Sequence, residues 1–313
     1  MTTLFDVARQ AGVSKSTVSN VIRGDGRVSE ITRERVERAI AEMQYHPNVI
    51  ARSLKARTST AVGIIVPDLT NPFHAELAAG AEHAASALGY AALITHTEAS
   101  PRAEQEAARA FIERRVDGVV VAGVSVGSSL PTLLLDRDIP VVVASFGEAD
   151  DPRLGVIDND DPGAMEMVVA HFYELGHRRM AFVGPLMNEQ SGERRRLGFA
   201  QALRRRQLAD VGLDGRPTAI AAHNDTQAIA TIDRLERQGR LVPRDVSVTG
   251  YDDIPLAAHN RIQLTTVHAD AAGMGRRAVE LALGAAREGR HVAYREIQTG
   301  QLIVRATTGR APN

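Results

Sequence analysis

The chain has 313 residues, which is too many for one compact core and predicts two or three domains. It contains no cysteine, so disulfide frameworks, thiolate zinc sites and cysteine nucleophiles are excluded. No apolar run approaches the roughly 20 residues of a membrane-spanning helix, and the N-terminus has no apolar signal core, so we expect a cytoplasmic protein with no membrane partner.

The charge of the chain is unevenly distributed. The net charge of −1 would by itself argue against a nucleic-acid partner. Residues 1–57, however, contain ten Lys/Arg and six Asp/Glu, a net charge of +4, which leaves −5 for the remainder. A basic segment on an acidic body is expected when only that segment contacts phosphates.

The first segment is predicted to form short helices. Thr3 can cap the first helix, with Asp6 as its reciprocal partner, and Gly12 ends it. Ser14 can cap a second helix that begins at Lys15. A third helix is predicted over about 29–43, with its apolar residues at helical spacing: Ile31, Val36, Ala39, Ile40 and Met43. A short fourth helical stretch is predicted over 49–56.

The spacing of the first two helices fits a helix-turn-helix, which places the second helix in the major groove of double-stranded DNA. We predict that its N-terminal residues read the bases, namely Lys15, Ser16, Thr17, Ser19 and Asn20. Asn can pair with adenine, Ser adapts to either partner, and Lys reaches guanine or phosphate. The alternative from the residues alone is a small helical bundle with a solvated polar face.

The remainder alternates between apolar runs and helical segments. The run at 62–66 is continuously apolar, as in a strand buried on both faces, and the alternation restarts after residue 158. This pattern predicts two α/β units with parallel sheets and a ligand cleft between them. Because no Walker loop, nucleophile elbow or paired metal-type His motif occurs, we expect neither an enzyme nor a resident cofactor or metal. A solute-binding receptor is a remote alternative.

Several motifs resemble the lactose-repressor (LacI/GalR) family of transcriptional regulators. They cover nearly the whole chain and lie at residues 3–8, 11–14, 17–19, 45–54, 66–73, 175–178, 224–225, 250–253 and 264–267. The resemblance implies an all-α helix-turn-helix headpiece plus hinge helix (1–57), joined to a two-lobed α/β periplasmic-binding-protein-like sensor with parallel sheets (60–313). It implies a first lobe of about 60–158 and 264–289, and a second lobe of about 159–263 and 290–313.

The family resemblance also implies a DNA-binding repressor that acts as a homodimer, or a tetramer, on a near-palindromic operator. Residues 48–56 would become helical on DNA, with Asn48 as the cap and Arg52 and Lys55 as phosphate contacts. Leu54 would wedge into the minor groove and kink the duplex. The alternative for Leu54 is packing in a linker core.

The resemblance further implies a small-molecule effector, sugar-like or purine-like, bound in the cleft between the lobes. The implied contacts are Phe73, Ser191, Arg195, Asn224 and Asp252. Aromatic, guanidinium, amide and carboxylate groups suit the recognition of hydroxyls and rings. Plain core packing is the alternative for Phe73. Asp225 is predicted to cap a helix and Asp253 to be structural.

Two departures from the family pattern bear on the effector. Ser145 stands where lactose-repressor relatives often carry Asp. About eleven residues separate Arg206 from the next strand, which is too few for the β–α pair that relatives usually place there. We therefore expect a smaller second sheet, and a constitutive repressor with an impaired effector site is the alternative function. The arginine clusters 194–196 and 204–206 are predicted to be solvated, with an anionic ligand as the alternative.

Overall fold

The structure is a computed structural model that describes residues 2–22, 28–45, 59–123, 128–145, 151–184 and 190–312. The chain divides into two compact units, Met1–Ser59 and Thr60–Asn313. The hinge residues Asn48, Arg52, Leu54 and Lys55 lie outside the described residues. None of the helices in the described part is long and apolar enough to cross a membrane.

The first unit is helical, and its helix ends follow the local sequence. The helices are α1 (Leu4–Gln10), α2 (Lys15–Ile22) and α3 (Glu30–Glu42). The predicted capping box is present, since the Asp6 amide donates to Thr3 Oγ1 at 3.3 Å and the Thr3 amide donates to Asp6 Oδ2 at 3.0 Å. Gly12 follows α1 with a φ of 61°, and the Thr17 amide donates to Ser14 Oγ at 3.1 Å. The predicted caps of both helices are confirmed.

The core of this unit is small, with buried side chains from the three helices and from the residues that follow α1 and α3: Val7, Ala8, Ala11, Val18, Val36, Ala39 and Tyr45. The prediction that Ile31 belongs to the apolar face of α3 was wrong, because this side chain is 79% exposed. At about 100° per residue, Ile31 lies roughly 140° around the helix from Val36, which faces the core. The helical spacing therefore holds only from Val36 onward.

The second unit contains a six-stranded sheet in the order β10-β5-β4-β3-β1-β2, and each neighbouring pair is parallel. Its strands are β1 (Ala61–Val66), β2 (Ala91–His96), β3 (Gly118–Ala122), β4 (Val141–Ala144), β5 (Gly155–Asn159) and β10 (Tyr294–Gln298). Its helices are α4 (Pro72–Ala87), α5 (Pro101–Arg114), α6 (Leu130–Leu135) and α10 (Ala271–Glu288). Alternate strand residues pack against α4 and α10 on one face and against α5 and α6 on the other.

A second sheet is formed by three parallel strands among the described residues, β6 (Met180–Val183), β7 (Ala219–Ala222) and β8 (Ser247–Thr249). Its helices are α7 (Asp161–Glu174), α8 (Gln190–Arg205) and α9 (Asp225–Arg237). Ala219 and Ala221 of β7 share a core with α7 and α8, whereas Ile220 and Ala222 share one with α9. Since strand residues alternate in direction, α8 and α9 lie on opposite faces of this sheet.

The C-terminal segment returns first to the six-stranded sheet and then to the three-stranded one. Strand β9 (Thr266–His268) pairs antiparallel with β11 (Gln301–Ile303), and the Val248 amide donates to the Thr307 carbonyl at 2.8 Å. The prediction that residues 290–313 all join the second lobe needs correction, because β10 pairs with β5. The chain therefore passes from the first lobe to the second after β10, about ten residues later than the sequence predicts.

The connection from α8 to β7 is short, as predicted. Residues 206–218 contain turns and one parallel bridge, between Asp210 and Met180 of β6. Asp210 thus contributes a single bridging residue beside β6, and this connection contains no helix. The prediction that residues 206–218 hold no strand–helix pair is confirmed.

Candidate functional site

The candidate DNA-reading surface lies on α2, from Lys15 to Asn20. Lys15 and Ser16 are exposed, whereas Thr17, Ser19 and Asn20 are half-buried. The Ser14 hydroxyl lies 2.7 Å from the Ser16 hydroxyl and 2.8 Å from that of Thr17, so the helix cap also orients these two side chains. All five predicted base-reading residues therefore lie together on one short helix that is fixed at its start.

A cation–π contact joins α1 to α2. Phe5 is 49% exposed, and its ring centroid lies 4.7 Å from Lys15 Nζ and 4.8 Å from the Arg9 guanidinium carbon. The two cations thus gather on one exposed aromatic ring, where each contact contributes on the order of 0.5–1 kcal/mol. This places positive charge beside the predicted base-reading residues.

The candidate effector site centres on Arg195 of α8, which is only 3% exposed. Its Nε donates to Asp161 Oδ1 at 3.0 Å, and its Nη1 donates to the His223 carbonyl at 2.6 Å. Nη1 also lies 3.7 Å from Asp252 Oδ1, and the guanidinium carbon lies 3.5 Å from the Tyr251 ring centroid. A buried guanidinium is thus held by carboxylates, a carbonyl and an aromatic face.

The neighbouring Arg194 also points inward. It pairs with Asp158 and lies 3.4 Å from Asp161, and its Nη2 donates to the Asn159 carbonyl at 2.7 Å. Burial raises the pKa of Asp158, although the charge of Arg194 opposes this shift. The prediction of a solvated 194–196 cluster was wrong for Arg194 and Arg195, because Asp158 and Asp161 draw both guanidinium groups inward.

The other predicted effector contacts lie at different positions around this cluster. Asn224 follows His223 directly and caps α9, since its Oδ1 accepts from the Gln227 amide at 2.8 Å. Ser191 is half-buried on α8, one turn before Arg195. Phe73 is 4% exposed and belongs to the main hydrophobic core, which is consistent with the core alternative. Of the five predicted contacts, Arg195 and Asp252 are therefore the pair that lies in direct contact, and Arg195 also bonds to the backbone of His223 beside Asn224.

Asp225 is a buried carboxylate next to this cluster, not the predicted helix cap. Its Oδ2 accepts from the Ile254 amide at 2.8 Å, and its Oδ1 accepts from the Thr266 hydroxyl. Burial raises the pKa of Asp225 to about 7, although these hydrogen bonds oppose the shift. Asp253 pairs with Arg305 at 2.7 Å and with His268 at 3.3 Å, which agrees with its predicted structural role.

The raised pKa of Asp225 predicts a pH-dependent stability. The folded protein keeps the proton of Asp225 up to about pH 7, whereas the unfolded chain loses it near pH 4. The stabilisation that this proton gives to the folded state is therefore fully present below about pH 4 and is lost as the pH rises through about 7. The free energy of unfolding of the unsubstituted protein should therefore fall by up to about 4 kcal/mol across this range because of Asp225, and Asp225→Asn should abolish this fall.

Urea unfolding at several pH values measures this effect. Asp233→Asn is the matched control, since Asp233 lies on the same helix with its side chain 58% exposed and pairs with Arg237 at 2.8 Å. Its pH profile should follow that of the unsubstituted protein. If the free energy of unfolding of Asp225→Asn falls as steeply with pH as that of Asp233→Asn, the raised pKa of Asp225 is contradicted.

Sequence reasoning missed Asp158 and Asp161 as members of the effector cluster. A signal was present, because Asp158 to Asp161 end and follow a strand buried on both faces, where polar ligand contacts of parallel sheets are expected. No group of three or more His, Asp or Glu side chains in the described ranges is arranged to hold a metal ion.

Comparison with known proteins matches both units of the chain. Residues 3–48 match the family described as "Bacterial regulatory proteins, lacI family". Residues 59–213 match "Periplasmic binding proteins and sugar binding domain of LacI family", and residues 205–308 match "Periplasmic binding protein-like domain". Together the three matches cover residues 3–48 of the first unit and 59–308, nearly all of the second unit.

Full-length relatives and solved structures agree with these matches. The HTH-type transcriptional repressor PurR of Vibrio atlanticus (strain LGP32) is 33% identical over 90% of this chain and 91% of its own length. PurR of Aliivibrio fischeri (strain MJ11) is 34% identical over 90% and 91%.

Among solved structures, the Lac repressor dimer bound to operator and the anti-inducer ONPF superposes with a TM-score of 0.88, at 24% identity, over 98% of this chain and 99% of that chain. The transcriptional regulator CelR–cellobiose complex gives a TM-score of 0.72 at 27% identity, over 98% and 100%. The chain belongs to the lacI family of bacterial regulatory proteins and is a DNA-binding transcriptional repressor rather than an enzyme.

Proposed function

We propose that this repressor binds a near-palindromic operator as a homodimer, with α2 of each headpiece in a major groove, and that a small molecule in the cleft between its lobes changes operator affinity. The observation that carries the proposal is the polar face of α2, where Lys15 and Ser16 are exposed on a helix capped by Ser14. Two headpieces related by a two-fold axis would read two half-sites.

Within each half-site, Lys15 and Asn20 supply the sequence preference. Lys15 would contact guanine or phosphate, Asn20 would pair with adenine, and Ser16, Thr17 and Ser19 would bond to bases or phosphates nearby. The basic character of residues 1–57 adds a salt-dependent attraction that does not depend on sequence.

Lys15→Ala is expected to weaken binding to the preferred operator by about tenfold or more and to relax the preference at one base position. The operator is first selected from a random DNA pool with the full chain, and affinities are then measured by gel shift. Arg38→Ala is the matched control, because it removes one exposed positive charge from α3. Equal losses in the two variants, with an unchanged base preference, would count against a base-reading role for α2.

The hinge is the second DNA-binding element of the proposal. Asn48 would cap a helix that forms on DNA, Arg52 and Lys55 would contact phosphates, and Leu54 would enter the minor groove. We expect Leu54→Ala to lose operator affinity while the melting temperature of residues 60–313 stays unchanged. Unchanged affinity in a gel-shift titration would remove the wedge role.

The proposed effector contacts are Arg195, Asp252, Asn224, Ser191 and Phe73. The clustered guanidinium, carboxylate and amide groups suit a neutral, hydrogen-bonding ring such as a sugar or a purine. Relatives named PurR favour a purine-like effector, and the CelR–cellobiose complex favours a sugar-like one. Calorimetric titration of purine bases and of mono- and disaccharides into the full chain distinguishes the two.

Control by the effector would follow from linkage. A ligand that prefers one relative orientation of the lobes changes operator affinity by the ratio of its affinities for the two orientations. The short connection after Arg206 supports a second candidate, a constitutive repressor, because residues 206–218 hold no helix and one bridge where the family resemblance implies a β–α pair. Specific binding by any sugar or purine that also shifts the gel-shift midpoint would exclude the constitutive candidate.

A further inference from the structure

The second lobe contains a cleft of about 310 Å³ that is separate from the effector candidates. Its floor is the α9 side of the three-stranded sheet, with Val183 of β6 and Ile220 of β7. One wall is α9, and Leu213 and Asp214 of the short connection form part of the opposite side. None of Phe73, Ser191, Arg195, Asn224 and Asp252 lines this cleft.

The cleft has a topological cause. The chain leaves α8, makes a single bridge at Asp210 to the outer side of β6, and then returns to β7 on the other side of β6. In a right-handed crossover, the helix for such a return would lie on the face of the sheet opposite α8. That is the face of α9, and residues 212–217 cross it without a helix. The cleft therefore occupies the place beside α9 that a crossover helix would fill.

The two parts of the cleft differ in polarity. The floor is apolar, while Arg234, Gln238 and Arg240 supply hydrogen-bond donors at the C-terminal part of α9 and just beyond it. Asp214 is the acidic residue among the lining side chains. Two arginines and one carboxylate line the cleft, so its net charge is positive and favours the binding of an anion.

Neither arginine forms an ion pair with a carboxylate among the described residues. Arg234 is exposed and has no acid within ion-pair distance in the described part of the chain. Arg240 donates Nη2 to the Pro217 carbonyl at 2.6 Å, which leaves the rest of its guanidinium for a ligand.

The electrostatic surroundings of Arg240 point the same way. Burial lowers the pKa of Arg240. Among the neighbouring charges, Asp245 has the largest effect and raises this pKa, while Arg179 and Arg216 lower it. Asp245 is itself bonded to Arg244 at 3.0 Å. A bound anion would relieve the repulsion among these three arginines.

We propose that this cleft is a second ligand site, which binds a small organic anion with its carboxylate or phosphate group at Arg234, Gln238 and Arg240 and its apolar part on Val183 and Leu213. A volume of about 310 Å³ is at the low end of small-molecule sites, which run from about 300 to 1,000 Å³. The ligand class is therefore a single-ring or short-chain metabolite.

The test uses the full chain and three matched probes that share one ring: benzoate, phenyl phosphate and benzyl alcohol. Binding is followed by ligand-observed NMR and calorimetry at fixed ionic strength, because exposed charges are screened by salt. We expect saturable binding of at least one anion and none of benzyl alcohol. The anion that binds more tightly identifies a carboxylate or a phosphate as the natural group.

Two variants connect binding to the cleft. Arg234→Gln should raise the Kd of the bound anion by about tenfold, the usual effect of losing a charge-assisted hydrogen bond. Arg237→Gln is the control, because Arg237 lies on the same helix, pairs with Asp233 and does not line the cleft. Its Kd should remain within about twofold of that of the unsubstituted protein.

Three results would overturn the proposal. The first is the absence of saturation by either anion at about 10 mM, a concentration at which even a weak specific site would fill. The second is an anion that binds equally well to Arg234→Gln, since it would then occupy another site. The third is an equal loss in both variants, which would show attraction to net charge alone. Operator binding by the headpiece is measured separately and does not depend on any of these results.

Discussion

Arg195→Ala is expected to lower the free energy of unfolding of residues 60–313 by about 3–5 kcal/mol, the usual cost of removing one partner of a buried ion pair. The Arg195 side chain is 4% exposed and that of Asp161 only 1%. Removal of the guanidinium takes the Nε donor from Asp161, the Nη1 donor from the His223 carbonyl, and the cation from the Tyr251 face. At about 2–4 °C per kcal/mol, the melting temperature should fall by roughly 6–20 °C.

Arg196→Ala is the matched control. Arg196 is the next residue on α8, but its side chain is 50% exposed and pairs with Glu193 one turn away on the same helix. Surface pairs of this kind contribute about 0–1 kcal/mol, so we expect a shift of at most a few degrees. If both variants melt within about 2 °C of each other, the Arg195 cluster does not stabilise the second unit.

The headpiece could be predicted from sequence because its signals are local. The capping box needs only Thr3 and Asp6, which are three residues apart, and Gly12 permits the left-handed backbone that follows α1. Ile31 was misplaced because several apolar residues fit a helical spacing on paper, while only the packing of α3 decides which face is buried.

The effector cluster was harder to predict because its partners are distant in the chain. Arg195 was expected at the cleft, yet its main partner Asp161 lies 34 residues earlier. A local signal existed in the helical spacing of Arg195 with the buried Phe199 and Ala202, which puts this arginine on the inner face of α8. The spacing alone could not name the carboxylate that makes burial of the charge tolerable.

Two other features show the same difference between local and distant information: the short connection between α8 and β7, and the point after β10 where the chain returns to the second lobe. The number of residues between Arg206 and Thr218 excludes a strand and helix there by simple geometry, so the smaller sheet could be predicted. The pairing of β10 with β5 joins residues about 140 positions apart. A five-residue strand whose residues alternate between exposed and half-buried has no local feature that selects its partner.

Gly275→Ala should destabilise residues 60–313 by about 3 kcal/mol, at the upper end of what overpacking usually costs. Helices α4 and α10 approach closely at two glycines, one on each helix. A Cβ at Gly275 would lie 2.0 Å from the Leu77 carbonyl oxygen, and one at Gly80 would lie 2.1 Å from the Ala272 carbonyl oxygen. Both obstacles are helix backbone, which cannot rotate aside as a side chain can, so the two helices must separate and open the core beneath them.

Gly284→Ala on the same helix isolates this packing effect from helix propensity. A Cβ at Gly284 meets no heavy atom within 4 Å, so the substitution should stabilise the unit by about 0.5–1 kcal/mol through the higher helix propensity of alanine. Urea unfolding of both variants should therefore give changes of opposite sign. Stabilisation by both substitutions would mean that α4 and α10 pack less closely than the structure indicates, and a loss in both would mean that α10 tolerates no added methyl group even where its surface is open.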